Sequence, residues 1–140
     1  METVINIKRL RWIMVGVILV DAINTLLGQP RSYWTRPITA DEITPLVHYF
    51  AVRGYAVFIG YWLVYAAAAF FIVTLLPRRL ALIGVFIFIF PHYHGATTWW
   101  VYHWHYGSRA ATIYGIILSI ILVLAAFPSA KQSLSDDSNI

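Results

Sequence analysis

The stretch GYAVFIGYWLVYAAAAFFIVTLLP, residues 54–77, contains no Asp, Glu, Lys or Arg. A second stretch without these residues covers positions 110–130. A helix needs about 20 apolar residues to cross the hydrocarbon core of a bilayer, and both stretches are long enough. The sequence therefore predicts an integral membrane protein built from helices.

The composition of the whole chain supports this prediction. Its 140 residues are 60% hydrophobic and only 11% charged, whereas soluble domains are about a quarter charged. The net charge of +4 comes from short basic clusters beside apolar runs, and no basic stripe of the kind that binds nucleic acid is present. The absence of cysteine excludes disulfides, thiolate metal sites and covalent haem attachment.

We predict an all-α fold in which four transmembrane helices form one bundle over residues 1–128. The spans cover, in order, about residues 12–27, 46–76, 80–104 and 110–127. The second span is too long for a bilayer core at about 1.5 Å per residue, so it either projects as a long helix on the outer side or bends at Gly54. The polar residues 129–140 are expected to form a disordered tail.

The basic residues favour one orientation in the membrane. Six of them fall on one side of the predicted bundle and four on the other: Lys8, Arg9, Arg11, Arg78, Arg79 and Lys131 against Arg31, Arg36, Arg53 and Arg109. Lys and Arg are enriched in short cytoplasmic segments. We therefore expect both termini in the cytoplasm, with the 29–53 loop and the 103–109 turn on the outer side.

A layer of polar residues is predicted inside the bundle, made of Asp21, Asn24, His92 and His94. Asp21 and His92 reach the middle of the bilayer, where an ionisable side chain costs about 2.5–3.5 kcal/mol. We expect these two side chains to face the interior and to share a hydrogen bond. The pair either holds the helices together or positions a ligand, such as a quinone head group, a transported proton or a metal-bound imidazole.

The stretch PHYHGATTWWVYHWHYGSR, residues 91–109, contains four of the five histidines. On a continuous helix no two of them have the i,i+4 spacing of helical zinc sites. If Pro91 or Gly95 broke the helix, or if residues 103–105 were extended, alternate histidines would point the same way. A copper or zinc site on the outer face would then combine five side chains: His103, His105, His48, Asp41 and Glu42.

Most of the rings in this stretch have a simpler explanation. Trp and Tyr are enriched where helices meet the membrane surface, and Trp99, Trp100 and Trp104 lie at the outer end of the predicted third span. A b-type haem held by two histidines of this chain is not expected. Such a haem needs histidines at equal depth on two helices, and no other span offers a partner to His92 or His94.

Three functions follow from these patterns. We rank first an accessory or structural subunit of a larger redox or bioenergetic membrane complex, whose His- and aromatic-rich outer half contacts a metal, a pigment or a quinone. A stand-alone metal- or quinone-dependent enzyme using His92, His94 and Asp21 ranks second, and a proton or ion transporter protomer ranks third. Small residues over positions 56–69 favour close contact with other membrane subunits or a second copy of the chain.

Overall fold

A computed structural model describes residues 6–105 and 107–126 of the protein. Within these ranges the only regular secondary structure is helical, as predicted. The α-helices are α1 (Ile7–Leu27), α2 (Pro45–Ala51), α3 (Tyr55–Leu75), α4 (Arg78–Thr98) and α5 (Gly107–Ala126). Two 3₁₀ turns lie between α1 and α2, at Arg31–Trp34 and Pro37–Thr39.

Four helices in the described ranges are long and apolar enough to cross a membrane, which confirms the predicted number. They are α1, α3, α5 and the continuous helical segment Arg78–His103, which includes α4. The first begins at Ile7, earlier than the predicted residue 12. The Asn6 side chain caps it there, because its Oδ1 accepts a hydrogen bond from the Arg9 backbone N–H at 3.1 Å.

The helix predicted over residues 46–76 is two helices, α2 and α3. Gly54 separates them with a backbone φ of +110°, a conformation that glycine adopts far more readily than residues with a Cβ. The expected bend at Gly54 is therefore confirmed. The alternative, a single long second helix that projects from the bundle, is wrong.

The third span is continuous through its proline. Pro91 lies inside α4, which continues to Thr98, so the segment at His92–His94 is helical and the proposed extended arrangement is wrong. Beyond Thr98 the backbone forms a wider π-type turn over Trp99–His103, in which the Trp104 N–H donates to the Trp99 carbonyl at 3.0 Å.

Successive long helices run in alternating directions, and α1 contacts α3, α4 and α5. We call the end of the bundle that carries residues 28–54 the loop end, and the end at Pro77 the turn end. At the turn end the Asn6 N–H donates to the Ala126 carbonyl at 3.1 Å, which joins the start of α1 to the end of α5. The predicted tail over residues 129–140 lies outside the described residues.

The interior of the bundle has two different halves. Towards the turn end the buried side chains are apolar, and they include Leu10, Met14, Ile18, Val73 and Val85. The buried polar residues of the described ranges all lie further towards the loop end: Asp21, Asn24, Thr25, Gln29, His92 and Thr97. Any chemistry inside the described bundle is therefore confined to the loop half.

Candidate functional site

Three side chains from three helices form a hydrogen-bonded chain in the loop half. His92 Nδ1 on α4 lies 2.8 Å from Asp21 Oδ2 on α1. The other ring nitrogen, Nε2, lies 3.1 Å from the Tyr65 hydroxyl on α3. The predicted hydrogen bond between Asp21 and His92 is confirmed. Tyr65 adds a third member, and we call the three side chains the Asp–His–Tyr network.

Gly95 makes room for the carboxylate of this network. A Cβ on Gly95 would lie 2.7 Å from Asp21 Oδ1 and 2.8 Å from Oδ2. Real Cβ atoms essentially never make contacts this short, so a side chain at position 95 would displace the carboxylate. The missing side chain lets α1 approach α4 closely enough for Asp21 to reach His92, which lies about one turn earlier on the same helix.

Aromatic rings hold the imidazole of His92 in place. The rings of Trp62 and Tyr65 meet it edge-on, with centroids 5.6 and 5.4 Å away. His92 is 8% exposed, Asp21 7% and Trp62 6%. The indole Nε1 of Trp62 has no hydrogen-bond partner among the described residues. Because the surroundings are apolar, electrostatic interactions with the network are stronger than they would be in water.

The network lies at the deep end of a cleft of about 840 Å³ in the loop half. This volume is within the range of small-molecule binding sites. The lining residues come from α1, α3, the third span and the 41–47 segment: Asp21, Thr25, Tyr61, Trp62, Tyr65, Pro91, His92, His94, Gly95, Thr98, Trp99, Tyr102, His103, Asp41, Glu42, Ile43, Thr44, Leu46 and Val47.

The side chain of Gln29 fixes the rim of the cleft. Its Oε1 accepts a hydrogen bond from the Asp41 N–H at 2.8 Å, and its Nε2 donates to the Asp41 carbonyl at 3.2 Å. The same Nε2 donates to the Thr25 carbonyl at 3.0 Å. Gln29 thereby ties the rim to the end of α1. Sequence reasoning missed this contact, although a glutamine between Gly28 and Pro30 at a helix end is a local sign of such a role.

The predicted polar layer is only partly assembled. Asn24 is buried, but it does not line the cleft and its Nδ2 has no hydrogen-bond partner among the described residues. His94 lines the cleft wall with an exposed side chain. Its backbone carbonyl accepts hydrogen bonds from the hydroxyls of Thr97 and Thr98. Asp21 and His92 therefore form the network without direct help from Asn24 or His94.

The predicted metal ligands are divided between the cleft and its surroundings. His103, Asp41 and Glu42 line the cleft, whereas His48 and His105 do not. The imidazole of His103 packs against the Trp99 ring, with centroids 4.9 Å apart. Across positions 6–105 and 107–126, no three His, Asp or Glu side chains come together in a group that could hold a metal ion. The geometry gives the copper or zinc site no support.

The Asp–His–Tyr network has two internally consistent protonation states. If Asp21 is ionised and His92 is neutral, His92 Nδ1–H donates to Asp21 and Nε2 accepts from the Tyr65 hydroxyl, which leaves only lone pairs on the Tyr65 oxygen. If the network holds one more proton, that proton is either on Asp21, whose O–H then donates to Nδ1, or on His92, whose Nδ1–H then donates to the ionised Asp21; in both cases Nε2–H donates to Tyr65, whose own O–H is free. The deep end of the cleft can thus accept or donate a hydrogen bond, depending on one proton.

Known proteins give no direct guide to the use of this cleft. Comparisons with protein-family models, curated proteins and solved structures found no match to the chain.

Proposed function

We propose that the chain is an integral membrane protein that binds a small, amphipathic, ring-bearing molecule in its cleft. The observation that carries this proposal is the arrangement of the cleft, with aromatic walls around a buried Asp–His–Tyr network. Small-molecule sites are typically concave and mainly apolar, with a few polar groups that fix orientation. Quinones and pigments, which the sequence favours as contacts, belong to this ligand class.

The orientation in the membrane is proposed from the basic residues. Lys8, Arg9 and Arg11 lie at the start of α1, and Arg78 and Arg79 at the start of α4, so both clusters are at the turn end. The positive-inside rule favours a cytoplasmic location for that end. Both termini then lie in the cytoplasm, and the cleft lies in the outer half of the membrane.

Purification in mild detergent tests the proposal. The purified protein is expected to carry an organic molecule at near-stoichiometric amount, detected by absorption spectroscopy and by mass spectrometry of an organic extract. A Thr98→Trp variant fills the cleft wall, and it should lose the molecule. Ile113→Trp adds the same ring at an exposed position of α5 outside the cleft, and it should retain it.

Two results would contradict the proposal. One is a wild-type protein that carries no organic molecule, and the other is equal retention in the two tryptophan variants. Metal analysis of the same samples tests copper and zinc independently. If the protein carries a stoichiometric metal and loses it when His103 is replaced, the proposed metal site is a candidate again, although the geometry does not support it.

A second candidate function is that of an accessory subunit of a larger membrane complex. It is favoured by α5, which buries few of its residues against the other helices. Of this helix only Leu118 and Ala125 are buried, and most of its isoleucines are exposed. Such a surface is available to lipid or to a neighbouring subunit. Native mass spectrometry after extraction with a lipid-like polymer distinguishes the two candidate functions, since an accessory subunit should co-purify with other chains at fixed stoichiometry.

We do not propose the enzyme or the transporter. The enzyme was expected to use His94 together with His92 and Asp21, yet His94 lies outside the Asp–His–Tyr network. Transport would need polar groups on both sides of the network. Between the network and the turn end, the buried side chains of the described ranges are apolar.

A further inference from the structure

We infer that the molecule held in the cleft is a lipophilic organic cation, either a protonated amine or a quaternary onium ion attached to rings or alkyl chains. This inference rests on the proposed function because it concerns the same cleft. It adds the sign of the ligand's charge, which neither the size nor the apolar walls of the cleft determine.

Apart from three histidines, His92, His94 and His103, the ionisable side chains that line the cleft are tyrosines and acidic residues. Asp21 lies at the deep end, and Asp41 and Glu42 lie at the rim, while no Lys or Arg contributes to the lining. A cleft with charges of one sign and low-dielectric walls concentrates ions of the opposite sign. The carboxylates at both ends of the cleft would therefore favour a cation over an anion or a neutral molecule.

Two arginines of the loop end, Arg53 and Arg36, do not line the cleft. Arg53 stacks on the ring of Tyr49, with its guanidinium carbon 3.3 Å from the ring centroid, and neither residue lines the cleft. Arg36 also lies outside the lining, with an exposed side chain. The acidic side chains at the rim are thus not accompanied by a lysine or arginine within the cleft, and its only basic side chains are those of His92, His94 and His103.

The aromatic part of the lining has the chemistry that binds cations. It consists of Tyr61, Trp62, Tyr65, Trp99 and Tyr102, and it includes no phenylalanine. The electron-rich faces of Trp and Tyr attract ammonium groups, and the attraction increases when the site excludes water.

A bound cation would stabilise Asp21 in its ionised form beside a neutral His92. In the arrangement with ionised Asp21, the neutral His92 provides a hydrogen bond but no compensating charge. A buried carboxylate is strongly destabilised unless a positive charge lies near it. A cation in the cleft would supply that charge and would meet only acceptor lone pairs on Tyr65.

A pair of lipophilic ions of matched size tests the sign of the charge. Tetraphenylphosphonium and tetraphenylborate have the same shape and opposite charges. Isothermal titration of the detergent-solubilised protein, with empty micelles as the blank, should give an affinity for tetraphenylphosphonium at least about tenfold higher than for tetraphenylborate. Equal affinities, or tighter binding of the borate, would overturn the inference.

Charge-removing variants locate the binding. Asp21→Asn should weaken tetraphenylphosphonium binding by about tenfold or more, and Glu42→Gln, outside the buried network, by about threefold. Because Glu42 is at the rim, its variant keeps the test valid even if Asp21→Asn does not fold. Arg36→Gln removes a charge at the same end of the bundle outside the cleft and should not weaken binding. Loss of affinity in none of the acidic variants would overturn the inference.

The same titrations separate this inference from the proposed function. If tetraphenylphosphonium does not bind, but a short-chain ubiquinone analogue does and Thr98→Trp abolishes that binding, the ligand is a neutral quinone and only the cation inference fails. If neither probe binds and no organic molecule co-purifies with the protein, the proposed function fails as well.

Discussion

Replacing Gly95 with alanine would place a methyl group against the carboxylate of Asp21. The new carbon would lie 2.7 and 2.8 Å from the two carboxylate oxygens and 3.0 Å from Cγ. All three atoms belong to a buried side chain that is held by His92 at 2.8 Å. The carboxylate therefore either stays in place under compression or moves away from the imidazole.

Both outcomes destabilise the fold by similar amounts. Overpacking a tight interior costs about 1–3 kcal/mol. Loss of a buried hydrogen bond to a charged group costs about 1.5–3 kcal/mol. Alanine regains about 1 kcal/mol because it is a better helix former than glycine. We expect Gly95→Ala to lower the free energy of unfolding by about 0.5–2 kcal/mol in total.

The chain offers a matched control for this substitution. Gly16 is also inside a long helix, and a Cβ there would meet no atom within 4 Å. Gly16→Ala should leave the stability unchanged or raise it by up to about 1 kcal/mol. Unfolding of both variants by added SDS in mixed micelles can be followed through the fluorescence of the six tryptophans.

The same substitution in a protein that lacks the Asp21 carboxylate shows whether the carboxylate causes the loss of stability. In an Asp21→Ser protein the carboxylate is absent, so Gly95→Ala should cost about 1 kcal/mol less than it does in the wild type. The reasoning would be refuted if Gly95→Ala were as harmless as Gly16→Ala. It would also be refuted if the cost of Gly95→Ala were the same with and without the carboxylate.

Three further predictions follow from other contacts. Asp21→Asn combined with His92→Ala should be no less stable than the worse single variant, because the two residues act as one unit; fully additive losses in thermal midpoint would contradict this. Gly28→Ala should destabilise the protein by about 1–3 kcal/mol in SDS unfolding, since its Cβ would clash with the Trp99 ring; wild-type stability would contradict the close packing of Gly28 against Trp99. Burial raises the pKa of Tyr33. The neutral, buried phenol should therefore stabilise the fold fully below pH about 10, the ordinary pKa of tyrosine, and this stabilisation should disappear as the pH rises through the raised pKa of Tyr33 in the folded protein. The difference in tyrosinate absorbance between the wild type and Tyr33→Phe measures that pKa.

Composition and helix length were enough to predict the main features of the fold. Charge-free runs of about 20 residues define spans without any knowledge of packing. The bend at Gly54 was also predictable, because a helix longer than the bilayer has to bend or project and glycine is the residue that permits the bend. The start of α1 was missed because Asn6 and the basic residues after it are polar, although asparagine is a good helix cap.

The depth of the site and the Asp21–His92 pair were predictable, but the other contacts of the site were not. Counting along each helix placed Asp21 and His92 at similar heights, whereas the hydrogen bond to Tyr65 also depends on how α3 is rotated about its axis. That rotation depends on close approaches such as the one at Gly95, which a count along the chain does not contain. The same limit explains His94, which has the right depth and lines the cleft but is not a member of the Asp–His–Tyr network.

The contacts near the rim depend on tertiary structure to a greater extent. The π-type turn after Thr98 changes the angular position of every residue that follows, so helical spacing no longer relates His103 to His92. The Gln29 side chain binds the backbone at Asp41, across a connection that contains two short 3₁₀ turns. No regular periodicity in the sequence specifies such a contact.

Photolabelling tests the central claim, that the cleft beside the Asp–His–Tyr network binds a cationic, ring-bearing ligand, most directly. The probe is an aryl diazirine that carries a trimethylammonium group, and the labelled positions are found by peptide mass spectrometry. We predict adducts in the 61–65 and 91–103 segments that excess tetraphenylphosphonium prevents and that Thr98→Trp abolishes. Labelling confined to the lipid-facing residues of α5, unaffected by competitor and by the cleft variant, would contradict the claim.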